Sequence, residues 1–193
     1  MTTAVVAACA SVFVAVLVFI LNQSGQLRQE RRQARLTRIS SQLRELYGPL
    51  NALVDTNERI WESLRMAQLP THEERRTGLA TDDWLRWRNQ VLMPTNRRMR
   101  DLIIEHADLF AEADVPEPFL GFCAHVASME VVLVAEADGH RIEAMIHHPG
   151  TAYVNYVHET FARLKHEQQQ LLRLTAPTST ELRLHESTGR ALE

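Results

Sequence analysis

The sequence predicts an all-α protein, with an N-terminal transmembrane helix followed by a bundle of about four long helices, partly kinked by proline. Three observations predict it. Ala4 to Leu21 carries no charge; apolar residues from Leu36 onward recur three and four apart; and the one stretch with strand propensity, Val131–Val134, is flanked by helical pattern on both sides.

The first element is "AVVAACASVFVAVLVFIL", eighteen residues from Ala4 to Leu21. As a helix it spans about 27 Å, close to the hydrocarbon core of a bilayer. A cleaved signal peptide would need a basic start and a small-residue cleavage site after the run. "MTT" has no charged side chain and "VFILNQ" has no such site, while "VAAC" (Val6–Cys9) precedes most of the run. Arg28, Arg31, Arg32, Arg35 and Arg38 follow the run on one side only. Positive charge stays in the cytoplasm, so the N-terminus is expected outside and the rest of the chain inside an inner membrane. The same arginines suit anionic headgroups. Ala7, Ser11 and Ala15 repeat every four residues and form a candidate helix-pairing face.

After the polar link "NQSGQ", Leu36, Ile39, Leu43, Leu46, Leu50, Leu53, Ile60 and Leu64 keep a heptad-like register, with Asn57 in a polar slot. Tyr47, Val54 and Trp61 widen the stripe, which favours a bundle over a coiled coil. Pro49 is expected to kink or restart the helix. Met66–Asp83 reads as a loop. A second helix from Asp82 carries Trp84, Leu85, Val91, Leu92, Met99, Leu102, Ile103 and Phe110, with a kink or split at Pro94. Pro116 suits the first turn of a third helix, apolar enough to be central, closed by Gly139. "HHPGT" makes a turn, and Thr151 caps a last helix through Tyr153, Val157, Phe161, Leu164 and Leu171. The divisions are thus 1–23 anchor, 24–45 basic juxtamembrane helix, 46–174 helical domain and 175–193 disordered tail.

Net charge is −3, which gives no support to nucleic-acid binding. Lys165 is the single lysine among 21 basic residues, as a GC-rich genome produces. Two cysteines, Cys9 and Cys123, make no disulfide framework and agree with a reducing compartment. Nine histidines invite a metal, yet no H-E-x-x-H or similar spacing is present, and His158 and His166 stand about 12 Å apart along one helix. "NRRMR" (Asn96–Arg100) precedes Asp101, Glu105 and Asp108, the pattern of a solvated face with intrahelical pairs. The seven glycines form no phosphate loop. His125 lies in an apolar helix and needs a partner; Glu105, His106 or Glu130 are the candidates.

The order "LYGPLNALV … VLMPTNRRM … FLGFCAHVASMEVVL … YVNYVHETFARLKHEQQQLL", Leu46 to Leu172, resembles a family of bacterial membrane-anchored helical proteins. The resemblance implies the anchored helical architecture and carries over no catalytic, metal or cofactor residue. The expected function is a membrane-tethered cytoplasmic interaction or scaffold module. Its partners would be the bilayer, another protein and a second copy of itself, with no cofactor. Two alternatives stand beside it, a hydrolase or metal-dependent enzyme built on His125, His106 and Glu105, and an envelope protein facing the periplasm.

Overall fold

Gly25 sits in the polar link that the sequence marks as a break, yet helix α1 (Thr2–Ser41) runs through it for 40 residues. One glycine costs a helix about 1 kcal/mol relative to alanine, and the flanking Gln, Leu, Arg and Glu are good helix formers. Ser24 Oγ also donates to the Leu21 carbonyl at 2.9 Å. The division expected between residues 23 and 24 therefore falls within one continuous helix. The computed structural model describes residues 2–67 and 82–175, and every regular element among them is helical. Most of the expected loop 66–83, the tail after Thr175, and the side chains of Ala4, Ala7, Ser11 and Ala15 lie outside the described residues. Two compact units emerge, one of residues 1–39 with the chain end from Gln168, the other Ser40–Glu167.

In the second unit, both proline problems are solved the same way. A π-helical turn, Gln42–Tyr47, leads into α2 (Gly48–Met66), and the Gly48 N–H reaches five residues back to the Leu43 carbonyl. A short α3 (Asp82–Trp87) passes through a second π turn, Arg88–Leu92, into α4 (Met93–Glu105), where Met93 N–H reaches Arg88 O. Pro49 and Pro94 come directly after these bonds, in the first turns of α2 and α4. Proline lacks an N–H and its ring crowds the carbonyl four residues back. Widening the turn by one residue gives that ring space without ending the helix.

Beyond the first π turn the buried positions are Leu50, Val54, Asn57 and Leu64, so the stripe keeps its expected phase at Leu50, Asn57 and Leu64, with Val54 buried more deeply than Leu53, which is only half-buried. Asn57 occupies its predicted slot with Oδ1 unpaired.

A 3₁₀ turn, Ala107–Leu109, and a short loop lead to α5 (Glu117–Ala137). Pro116 is its extended N-cap and Pro118 occupies the first turn, one step later than expected. The helix closes on Gly139 at φ +80°, with His140 N–H donating to Ala135 O at 2.8 Å. The last helix, α6 (Thr151–Thr175), starts from Gly150 at φ +62°, whose carbonyl accepts from Val154. Thr151 is thus the first helical residue, and the buried stripe runs Tyr153, Val157, Thr160, Leu164, with Phe161 at its edge.

Trp61 meets Trp84 (centroids 5.6 Å apart) while Gln42 meets Leu109, so α2 and α3–α4 run antiparallel. Arg88 pairs with Glu136 and Arg97 with Glu130, so α5 runs antiparallel to α4. Phe122 stacks on Tyr153 at 4.2 Å and Phe119 meets Tyr156 at 5.0 Å, so α6 runs antiparallel to α5. The helix count and these directions are consistent with a bundle.

Among the described residues α5 alone is long and apolar enough to cross a membrane, with mean hydropathy 1.7. It is less central than its composition suggests. One side buries Phe119, Phe122, Val126 and Val132, whereas Leu120, Val131 and Val134 face outward.

A Cβ added at Gly48 would run into the Leu43 carbonyl oxygen, while one at Gly25 meets open space. Gly48→Ala is therefore expected to lower stability by about 1–3 kcal/mol, against the usual gain of alanine in a helix. Gly25→Ala should be neutral or stabilising. Denaturant unfolding of both variants in detergent checks the contrast.

Candidate functional site

The most connected polar group in the second unit is a directed chain of hydrogen bonds at the junction of α2, the 107–116 loop and α6. Tyr156 Oη donates to Glu112 Oε2 at 2.6 Å. Its proton is thereby committed, so Tyr47 Oη donates to Tyr156 at 3.3 Å and accepts from the Ala111 N–H at 3.2 Å. Arg163 approaches the other Glu112 oxygen at 3.5 Å. Burial raises both phenol pKa values, and the carboxylate raises that of Tyr156 further. Both rings stay protonated, as the chain requires. Below it, Gln42 Nε2 donates to the carbonyls of Leu109 and Phe110 at 3.0 and 3.3 Å, satisfying the end of the 3₁₀ turn. This arrangement ties the loop to α6 and acts as a positioning network.

The basic patch of α4 reaches further than expected. Arg97 and Arg100 bond across to Glu130 of α5 at 3.0 and 2.8 Å. Arg88, in the π turn before α4, forks onto Glu136. Only Arg98–Glu105, at 3.9 Å, and Arg100–Asp101, at 2.8 Å, remain within the helix. Burial works to raise the Glu130 pKa, but bonds from Arg100 and Arg97 outweigh it and hold the carboxyl below its usual value.

The three residues of the enzyme alternative go to different partners. His125 Nδ1 lies 2.9 Å from the Ile146 carbonyl, and its ring meets that of His148 at 5.1 Å. Glu105 faces Arg98 in solvent. His106 ends α4 and lies within electrostatic range of Glu45. The expected His125–His106–Glu105 cluster does not form. Among the described residues, no three His, Cys, Asp or Glu side chains converge to hold a metal. His158 Nε2 lies 2.9 Å from Asp55 Oδ1 but off the line of a hydrogen bond, so the contact gains strength only when the ring is protonated.

Sequence reasoning missed His148. Its ring packs edge-on against Phe122 and His125 (centroids 5.5 and 5.1 Å), and Tyr153 lies 6.0 Å away. Gly150 N–H donates to its Nδ1 at 2.8 Å. Burial, with His125 alongside, pushes the His148 pKa down to about 4. The residue as a whole is nonetheless exposed to solvent, and screening there makes the drop shallower. His125 is lowered too, by burial, against the opposing pull of the Ile146 carbonyl. The only forward signal was the turn "HHPGT", which fixes His148 two residues before a left-handed glycine.

Beside this, α5 presents a shallow open groove of about 450 Å³ lined by Ala127, Glu130, Val131, Val134, Ala135, Asp138 and His140. Comparison with family models, curated proteins and solved structures finds no match.

Tyr156→Phe removes the middle donor, leaving Glu112 short of a proton and Tyr47 without its acceptor. We expect a loss of about 1–2 kcal/mol. In a double-mutant cycle with Glu112→Ala, the two losses should fall short of additivity by more than about 0.5 kcal/mol. Denaturant unfolding measures both.

Proposed function

We propose that the chain is a single-pass inner-membrane protein that presents a helical bundle to the cytoplasm and acts by binding. One observation carries the reading. Along α1 every described side chain of the apolar run, Phe13, Val14 and Val16 to Leu21, is 45–69 % exposed, and together they cover all sides of the helix. A side chain of this kind gains roughly 1.5–3 kcal/mol on leaving water, so on the order of 10 kcal/mol or more favours an apolar surround. A helix apolar all round belongs in a protein core or a bilayer. The arginines from Arg28 to Arg38 support a cytoplasmic location for the helices after them.

Tethering itself supplies the mechanism. Confinement beside a membrane raises the effective concentration for a partner, another protein or a second copy, without any new contact. The outward side of α5 is the surface of the second unit that best suits such a partner, because it combines exposed Leu120, Val131 and Val134 with a groove. The resemblance to bacterial membrane-anchored helical proteins agrees with this reading.

Alkaline extraction of membranes should leave the full chain in the pellet and release a chain lacking residues 1–23. A reporter joined after Glu193 should be active only if it works in the cytoplasm. Recovery of the full chain in the detergent-free soluble fraction would end the proposal, and activity of a periplasm-dependent reporter would reverse the orientation.

A further inference from the structure

The segment from Asp138 to Gly150 has no regular structure, yet it is fixed at both ends and in the middle. Gly139 and Gly150, at φ +80° and +62°, are its two bends. Midway, Ile146 is tied to α5 through both backbone groups, its N–H donating to Ser128 Oγ at 3.3 Å and its carbonyl 2.9 Å from His125 Nδ1. Near the end, Pro149 lies over Gly121, where an added Cβ would stand 3.8 Å from the proline ring. Gly121, His125 and Ser128 fall at helical spacing on one side of α5. The segment therefore runs along that side as a strap, bordering the outward apolar positions, with His140 in the lining of the adjoining groove.

The hydrogen bonds fix the tautomers. The Ile146 carbonyl offers only lone pairs, so His125 Nδ1 carries a proton. Gly150 donates to His148 Nδ1, so that nitrogen is the acceptor and the proton sits on Nε2. Protonating His148 sets an N–H against the Gly150 N–H and places positive charge beside His125. The titratable groups at the pair are His125 on α5, Tyr153 on α6 with Cys123 of α5 beside it, and His147 of the strap, whose remaining charged or titratable residues are Asp138, His140, Arg141 and Glu143. Tyr153 is buried and neutral, and the charged-group influence on His148 is that of His125, which disfavours the new charge.

We propose that residues 138–150 form a proton-sensitive strap on α5, closed while His148 and His125 are neutral and released when His148 gains a proton. Release frees the Gly121–His125–Ser128 side and widens the outward apolar surface. The inference stands on the second unit alone and survives a failure of the membrane reading.

Linkage sets the sign. His148 holds its proton less tightly in the closed strap, about 4 against an ordinary 6.5, so the open form gains protons first as pH falls through that window. Above it the closed form keeps its full advantage.

Hydrogen exchange of the full chain in detergent tests this. Between about pH 7 and about pH 4.5 the protection factors of Ile146 and Gly150 should fall at least about tenfold, while Val126 and Val157 in the core hold theirs. His148→Gln keeps an acceptor that does not titrate, and His148→Phe keeps the aromatic packing without one. In both variants the fall should be several-fold smaller, leaving only what His125 contributes. A flat profile in the natural protein, an undiminished fall in both variants, or simultaneous loss in strap and core would each overturn the proposal.

Discussion

Two prolines inside long helices are the constraint on which this architecture depends. An α-helix would aim the carbonyls of Glu45 and Gln90 at the rings of Pro49 and Pro94, at about 3 kcal/mol or more each. The chain widens the preceding turn in both places, and the consequence is felt well beyond the proline. The first π turn buries Gln42, Leu43, Leu46 and Tyr47 together, four positions where a regular α-helix would bury about two. Gln42 is thereby brought to the end of the 3₁₀ turn and Tyr47 to Tyr156 and Ala111. The second π turn carries Arg88, which reaches Glu136 on α5. Three of the polar ties, from Gln42, Tyr47 and Arg88, thus start from the same backbone adjustment that accommodates the prolines.

Those ties divide the work with the aromatic core. Phe119 lies within about ring-contact distance of Tyr47, Phe110, Tyr153 and Tyr156, at 6.2, 5.5, 6.2 and 5.0 Å, so one residue of α5 touches α2, the 107–116 loop and α6. Burial of these rings supplies most of the free energy and little of the direction. Direction comes from the committed protons of Tyr47 and Tyr156 and from the arginines that reach from one helix to the carboxylates of the next. Asn57 and Asn96 mark the limit of this arrangement. Both are buried with Oδ1 unpaired, at about 1–3 kcal/mol for a dry carbonyl, and the apolar residues around them must offset it.

Helix positions were legible in the sequence because burial imposes a period, and that period survives locally. The stretch from Leu50 to Leu64 and the stripe of α6 could be read to within one residue. Phase held across Pro49 at Leu50, Asn57 and Leu64, but no residue type announces a π turn, and the deeper of the neighbours Leu53 and Val54 proved to be Val54. Partners across space were the least legible. "NRRMR" with Asp101 and Glu105 close behind looks self-sufficient on one helix, and only the antiparallel placement of α5 puts Glu130 between Arg97 and Arg100. The same holds for His125. Glu105 and His106 were sought because they were polar and near in sequence order, but the nearest acceptor was a main-chain carbonyl of a loop, which has no sequence signature at all.

Two helices in this chain are apolar enough to invite a bilayer, and their charges separate them. The α5 helix carries Glu130 and Glu136 in its C-terminal half, both paired with arginines from α4 and the π turn before it, and those arginines hold the Glu130 carboxyl below its usual value. A charged residue at the centre of a membrane helix costs on the order of 2.5–3.5 kcal/mol by insertion scales, and drawing α5 into lipid would also strip away its paired arginines. Its aromatic side is already taken up by α6. The run from Ala4 to Leu21 has no charge to desolvate, and its described side chains are all exposed. The physical asymmetry therefore supports lipid around α1 and water or a protein partner against the outer side of α5, where the cost of exposure is small enough to be offset by a modest interface.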